Sequence, residues 1–348
     1  MSTIRVGIVG LGANTRLRHV PGLRACGDVD IVAVCNRRAE STAAAAQEFE
    51  IPRTYQRWQD LVADPEIDAV VIGTWPYLHC PITLAALAAG KHVLTEARMA
   101  RNADEAHQML RASQRAKGLV TQIVPSPLGF RAHAVVKELL ADGFLGQLRE
   151  VVVLGTNNAL ADSHMPLYWR QSAEYSGLNA LALGILHETL VRWVPDPVRV
   201  LAQTHMFTPE RLDVETADMA EVGTPDSVHV LTTLPGGARG VYHLSGAIHH
   251  GPNMQIHLYG RHGTLKYEFL PEDRLLGAAE GEKELHEIAV PPEKAGQWRV
   301  EEEFIQAIRG EREVELTDFA TGVRYMEFTE AVARSARTGK AVELPLGA

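Results

Sequence analysis

The 348-residue chain is poor in several features, and each shortage removes a class of protein. It has three cysteines, Cys26, Cys35 and Cys80, with no Cys-x-x-Cys pair. That excludes a disulfide framework or zinc knuckle and fits reduced thiols in the cytoplasm. No apolar run approaches the ~18 residues of a membrane span. Lysine and arginine number 34 against 43 acids, a net charge of −9 with no basic stripe, so nucleic acid is not the expected partner. The opening Met1-Ser2-Thr3-Ile4-Arg5 runs straight into a strand-like segment, with no basic and apolar regions of a secretory signal before it. What remains is an ordinary globular composition, 46% hydrophobic and 22% charged. At roughly 100–200 residues per domain, the length allows two domains.

Short β-branched runs alternate with alanine-rich amphipathic stretches over the first 125 residues. Strands are expected at Arg5–Val9, Ile31–Cys35, Ala69–Gly73, His92–Glu96 and Leu119–Val124, with helices near 16–26, 39–48, 56–63, 79–89 and 103–117. This is the pattern of βαβ units and a doubly wound parallel sheet. After Pro125-Ser126-Pro127 a helix at 131–142 leads into strand-like segments at 147–157, 198–207, 227–234, 238–247, 254–259 and 264–268. A helix at 178–193 interrupts them, and helices at Arg299–Arg309 and Phe319–Thr338 close the chain. The fold class expected is α/β, with one division: a dinucleotide-binding domain over 1–124, and an α+β domain with a largely antiparallel open sheet over 125–348.

Gly10-x-Gly12 lies where the first strand turns into the first helix, followed by Ala13, Asn14 and Thr15. A backbone without Cβ is needed at Gly10 for the tight turn and at Gly12 for close approach of a pyrophosphate, which then sits on helix N–H groups. The third position of the fingerprint holds Thr15 instead of Gly or Ala. An acid at the end of the second strand ordinarily accepts the ribose hydroxyls. Here that strand ends in Asn36-Arg37-Arg38, which favours a 2′-phosphate and hence NADP(H), with NAD(H) the alternative if the arginines only solvate a loop.

Further motifs carry a family resemblance over nearly the whole chain. They are His19-Val20-Pro21-Gly22-Leu23, Asp68 through Thr74 with Trp75, Pro76 and His79, and Ala88 through Glu96. Gly143 through Gly146, Tyr259 through Leu265 and Glu330 through Gly339 agree. Together they resemble the Gfo/Idh/MocA family of glucose-fructose oxidoreductase and the inositol dehydrogenases. The resemblance implies an N-terminal Rossmann domain and a C-terminal sheet that makes homodimers or homotetramers. It also implies redox chemistry at CH–OH groups of sugar-like substrates, with Thr74, Trp75, Pro76, His79 and Glu96 beside the cofactor.

The family's catalytic positions are substituted. Where members carry Glu-Lys-Pro this chain has Glu96-Ala97-Arg98, and the register is set by Val93-Leu94-Thr95, the next lysine being Lys117. Where members carry Asp-x-Gly-x-His it has Ala182-Leu183-Gly184-Ile185-Leu186, followed by His187 and Glu188. His187 is then either the proton donor or a structural histidine under the sheet. On a helix starting at 178, Asn179 shares a face with Ala182 and Leu186 and would orient the reacting oxygen. Arg98 either clamps an anionic oxygen or pairs with Glu96, and Tyr168 is the reserve acid. Trp169 and Arg170 offer a sugar a flat face and a donor, unless Trp169 packs a domain interface, and Glu188 completes the expected substrate set. His243, His249, His250 and His257 scatter over both faces of strands, so no metal is expected. Two alternatives stay open beside the oxidoreductase: a redox-neutral lyase or glycosidase that retains its cofactor, and a cofactor-binding regulator of the same fold.

Overall fold

The computed structural model describes residues 3–347. Along the first part of the chain lie β1 (Ile4–Val9), α1 (Val20–Ala25), β2 (Val29–Cys35), α2 (Ala39–Glu48), β3 (Arg53–Thr54) and α3 (Trp58–Ala63). Then come β4 (Ala69–Ile72), α4 (His79–Ala88), β5 (His92–Thr95), α5 (Ala103–Arg115) and β6 (Thr121–Ile123). Among the described residues, these six strands form one parallel sheet in the order β3-β2-β1-β4-β5-β6. Burial on both faces explains the near-continuous apolar runs: all four residues of β4 are buried, as are all of β1 except Arg5. Gly7 is small because a Cβ there would stand 2.8 Å from Leu61 on α3. Asn102 caps α5, its side chain accepting from Glu105 N. The expected helix over 16–26 divides: Thr15–His19 is wound as a π-helical turn, and α1 follows it.

The next elements are α6 (His133–Ala141), β7 (Leu148–Thr156), α7 (Ala173–Ser176), α8 (Leu183–Leu190), β8 (Arg199–His205), β9 (Glu210–Asp213) and β10 (Asp218–Glu221). After them run β11 (Ser227–Thr233), β12 (Arg239–Ser245), β13 (Met254–Gly260), β14 (Gly263–Glu268), β15 (Arg274–Ala279) and β16 (His286–Glu287). The chain closes through α9 (Val300–Ile308), α10 (Phe319–Thr338) and β17 (Val342–Glu343). Nine described strands form a sheet in the order β16-β15-β14-β13-β7-β12-β11-β8-β17, antiparallel except for the β7–β12 pair, while β9 and β10 form a separate hairpin. Burial alternates along β8, β11 and β12, so one face covers the core and the other is open. The core side packs Val151, Val153, Val228, Val230, Leu244 and Ile256 against Leu183, Leu186 and Leu190 of α8 and Phe328 of α10.

Contacts group the chain into two compact units, residues 3–125 with 299–326, and residues 126–298 with 327–347. A single division after residue 124 does not anticipate the return of 299–326 to the first unit. Its cause is apolar and local: Phe319, Val323, Tyr325 and Met326 bury themselves with Met99, Met109 and Ile123. The Tyr325 hydroxyl accepts from Met99 N at 2.5 Å, and Ile123 N donates to Thr317 O at 2.9 Å. The expected helix over 178–193 is shortened to α8, because Leu181 holds φ +46 and breaks the helical path ahead of Leu183.

Candidate functional site

The strand order reverses between β1 and β4, and such a crevice outside the carboxyl ends of the strands is where a doubly wound sheet takes its ligand. Gly10 sits at its floor with φ +87, and a Cβ there would stand 2.7 Å from the backbone of Gly73 and Thr74. Gly73 is the reciprocal half of this approach: a Cβ on it would lie 2.2 Å from Gly10 O and from Thr15 Oγ1. Gly12 is open, its virtual Cβ meeting nothing nearer than Gly73 O at 3.7 Å, so the space beside it is free for a ligand. The cradle therefore fits a pyrophosphate.

From this corner a cavity of about 640 Å³ runs under the ends of β1, β2 and β4 to the turn before α3. Of the expected cofactor residues it brings together Gly10, Gly12, Asn36, Arg37, Thr74 and Trp75. Arg16, Ser41, Gln56, Arg57, Trp58 and Gln59 line it as well, and the described lining holds no Asp or Glu. The Arg37 guanidinium lies 5.8 Å from the Trp75 ring centroid. Asn36 is spent on the fold: Oδ1 accepts from Leu11 N at 2.7 Å, and Nδ2 donates to Ser41 O at 2.9 Å. It ties the glycine corner to the end of β2, a partner that no spacing in the sequence reveals.

The other expected cofactor residues serve around the cavity. Arg38 stands outside the lining, and its carbonyl accepts from Ser41 Oγ and Thr42 N at the start of α2. Ala13 is exposed at the helix start. Thr15 is buried, its hydroxyl donating to Gly10 O at 3.2 Å, which explains a Thr at the third fingerprint position: it braces the turn from below. Pro76 and His79 are buried as well. The His79 ring nitrogens lie 2.9 Å from Arg98 O and 3.0 Å from Thr74 O, so the ring spans the loops after β4 and β5. Burial pushes its pKa below the ordinary value. Asn14 donates to Glu96 Oε1 at 2.5 Å, and His19 Nε2 lies 3.0 Å from the same oxygen. Arg98, just past β5, is buried.

In the second unit the expected substrate residues separate into two groups. Tyr168 and Arg170 are exposed, and the Arg170 guanidinium stands 4.3 Å over the Trp169 ring, itself 5.6 Å from the Tyr168 ring. Buried Arg211 holds the loop leading to them, donating to the carbonyls of Leu160, Asp162 and Met165. Its strand alternation alone gave no signal of this.

His187, Glu188 and Asn179 form the second group, and all three point into the fold. The His187 ring is fully buried, stacked 3.6 Å from Phe328 with an 11° interplanar angle, and Nδ1 lies 2.8 Å from the Tyr242 hydroxyl. It is the packed histidine under the sheet and not an exposed acid. Glu188 pairs with Arg192 at 2.7 Å and accepts from Ser126 N at 2.7 Å, so its carboxylate anchors the start of the second unit to α8. Asn179 precedes α8 and does not share its face; its amide donates to Ser176 O at 2.7 Å. Among the described residues, no group of three or more His, Cys, Asp or Glu could hold a metal ion.

Comparison with known proteins bears on the same two units. Residues 4–123 match a family model described as an oxidoreductase family with an NAD-binding Rossmann fold, and residues 133–266 match the GFO/IDH/MocA C-terminal domain. The chain is 26% identical to the 1,5-anhydro-D-fructose reductase of Ensifer adhaerens, covering 99% of each. It is 30% identical to the trans-1,2-dihydrobenzene-1,2-diol dehydrogenase of Mus musculus, over 70% of this chain and 68% of the relative. A levoglucosan dehydrogenase solved with NADH and L-sorbose superposes with a TM-score of 0.84 at 22% identity, covering 99% of this chain and all of that one.

Proposed function

The chain belongs to the GFO/IDH/MocA family of oxidoreductases, and from that premise we propose an NADP(H)-dependent enzyme that transfers hydride to or from a CH–OH group of a sugar-derived or related polyhydroxy substrate. The observation that carries the cofactor choice is the cavity lined by Arg16, Arg37 and Arg57, with no carboxylate among its described lining residues. An acid there would repel a 2′-phosphate, whereas guanidinium makes charge-assisted, bidentate contacts to it. In this reading Arg37, at the end of β2, and Arg57, in the turn before α3, hold the 2′-phosphate.

When bound, the nicotinamide supplies or accepts the hydride. This chain's residues hold and protonate the substrate. Arg98 stabilises negative charge on the reacting oxygen, a guanidinium group being a clamp and not a proton shuttle. Trp169 and Arg170 bind the polyhydroxy face, and Tyr168 is the acid left once His187 is placed in the core. The relatives' printed activities, on an anhydro sugar, a cyclic diol and levoglucosan, support a substrate of that class. Free cysteines at Cys26, Cys35 and Cys80 support a cytoplasmic site of action.

Calorimetry with NADPH and NADH tests the cofactor, and Arg37→Ala is expected to weaken NADPH roughly 10- to 100-fold while sparing NADH. Tighter NADH binding by the unaltered protein, or equal loss of both, overturns the phosphate assignment. Consumption of added NADPH in step with a sugar or polyol supports the dehydrogenase. A purified protein that turns substrate over on its own bound nucleotide supports the redox-neutral enzyme.

A further inference from the structure

The Glu96 carboxylate at the end of β5 is held on several sides within the first unit. Oε1 accepts from Asn14 Nδ2 at 2.5 Å and faces His19 Nε2 at 3.0 Å, and Oε2 accepts from Ala97 N at 3.2 Å. On the far side of the imidazole, Nδ1 lies 2.5 Å from Glu301 Oε1 on α9. Each ring nitrogen thus meets a carboxyl oxygen, an arrangement that, with both carboxylates ionised, only the doubly protonated imidazolium satisfies. His19 is 0% and Glu301 2% exposed, while the Glu96 side chain keeps 15% of its surface. Gly22, one turn beyond His19, makes room for Glu301: a Cβ there would stand 2.6 Å from Oε2.

Burying three ionised groups carries a desolvation penalty for each, and an apolar contact would fasten α9 to α1 without that penalty. What an apolar contact does not do is orient a carboxylate. The exposed end of this chain is Glu96, and its place in the sheet says what it meets. The arginine-lined cavity serves the adenosine half over β1, β2 and the turn after β3. A dinucleotide lying across the switch point puts its other half over the ends of β4, β5 and β6.

We infer that His19 and Glu301 are positioning residues for the nicotinamide-riboside half of the cofactor: through the buried chain Glu301–His19–Glu96 they aim a fixed carboxylate at the hydroxyl and carboxamide donors of that half. The inference rests on the cofactor reading above. The charged and titratable groups around the chain are Glu96 just past β5, Glu301 and Glu302 on α9, Arg309 just after it, Cys26 after α1, and His79 on α4. Burial alone would lower the His19 pKa, but the hydrogen bonds from Glu301 and Glu96 outweigh it and raise the group to about 9.

The experiment compares two ligands, NADPH and 2′-phospho-ADP, which lacks the whole nicotinamide-riboside half, on the full chain and its His19→Gln and Glu301→Gln variants. Calorimetry is expected to show NADPH weakened roughly tenfold in both variants, with 2′-phospho-ADP unchanged within about twofold. Unchanged fragment binding also certifies that the unit is folded, and if His19→Gln does not fold, Glu301→Gln decides. In the unaltered protein NADPH binding should weaken as pH rises through about 9, a dependence missing from His19→Gln. Equal weakening of both ligands reduces the chain to a brace of the glycine corner and overturns the inference, as does no change in either. If the unaltered protein binds neither ligand, the cofactor reading falls first and this inference with it.

Discussion

A histidine between two buried carboxylates makes stability depend on pH in a definite direction. The His19 pKa in the fold, about 9, lies above its ordinary 6.5. Its contribution is therefore complete below about 6.5 and is lost as pH rises through about 9. Glu96 is the opposite case. Burial alone would raise it, but the His19 hydrogen bond and charge bring it below its ordinary 4.5, so its contribution is present above that value and lost as pH falls. Thermal unfolding followed by circular dichroism should give a Tm plateau between these limits. The alkaline fall should be absent in His19→Gln, which starts from a lower Tm because the two carboxylates are left facing a neutral amide. His187 makes the second residue-scale case. With its ring stacked on Phe328 and bonded to Tyr242, His187→Ala should cost roughly 2–4 kcal/mol in urea denaturation. NADPH affinity, measured on the folded fraction, should not change.

At the scale of elements, the glycine corner separates a fold requirement from a ligand requirement. Gly10 and Gly73 exist for each other, since the ends of β1 and β4 approach so closely that neither backbone tolerates a Cβ. Gly73→Ala must displace Gly10 O or Thr15 Oγ1, so it should lower Tm and abolish NADPH binding together. Gly12→Ala meets only Gly73 O at 3.7 Å, so its methyl group would enter the space left for the pyrophosphate. Tm should stay while affinity drops at least about tenfold, corresponding to 1.4 kcal/mol. Differential scanning fluorimetry beside calorimetry separates the two, and a Gly12→Ala protein with full affinity would refute the ligand role. α8 carries the lesson about helix starts. The apolar spacing reads as a helix from 178, but the left-handed Leu181 delays it to Leu183 and turns Asn179 out of register with Ala182 and Leu186. Hydrophobic period specifies that a helix exists far better than where it begins.

At the scale of the whole molecule, the open face of the second sheet bears on assembly. Leu201, Leu231, Val241 and Val152 lie opposite one another on β8, β11, β12 and β7, and the first three are 41%, 55% and 42% exposed. The stacked rings of His229 and His243, 4.5 Å apart, lie two residues along the same strands. An apolar row in mid-sheet marks a face to be covered. We expect a homodimer or homotetramer through it, with Leu231→Glu shifting sedimentation toward the 38.1 kDa monomer. A monomeric unaltered protein would count against the assembly.

Much of this architecture was legible in the sequence alone. The alternation of short strands and helices, the Gly10-x-Gly12 turn and the antiparallel second sheet are written in local periods and turn chemistry, which act over a few residues and survive any tertiary context. The closing helix pair was legible for the same reason. What the tertiary structure decided is where each polar group points and which distant partner meets it. His19 and Glu301 are 282 residues apart in sequence, and no spacing rule joins them. Residues 299–326 leave the second half of the chain because their apolar side chains find Met99 and Ile123. His187 and Glu188 were readable as site residues by type, yet successive helix positions differ by about 100°. That phase placed one on Phe328 and the other on Arg192 and Ser126. Asn36 Oδ1 accepts from Leu11 N, 25 residues away, a partner that no local pattern names. Local patterns determine elements, but the satisfaction of buried polar groups is a global condition, and it was met only when the whole chain had packed.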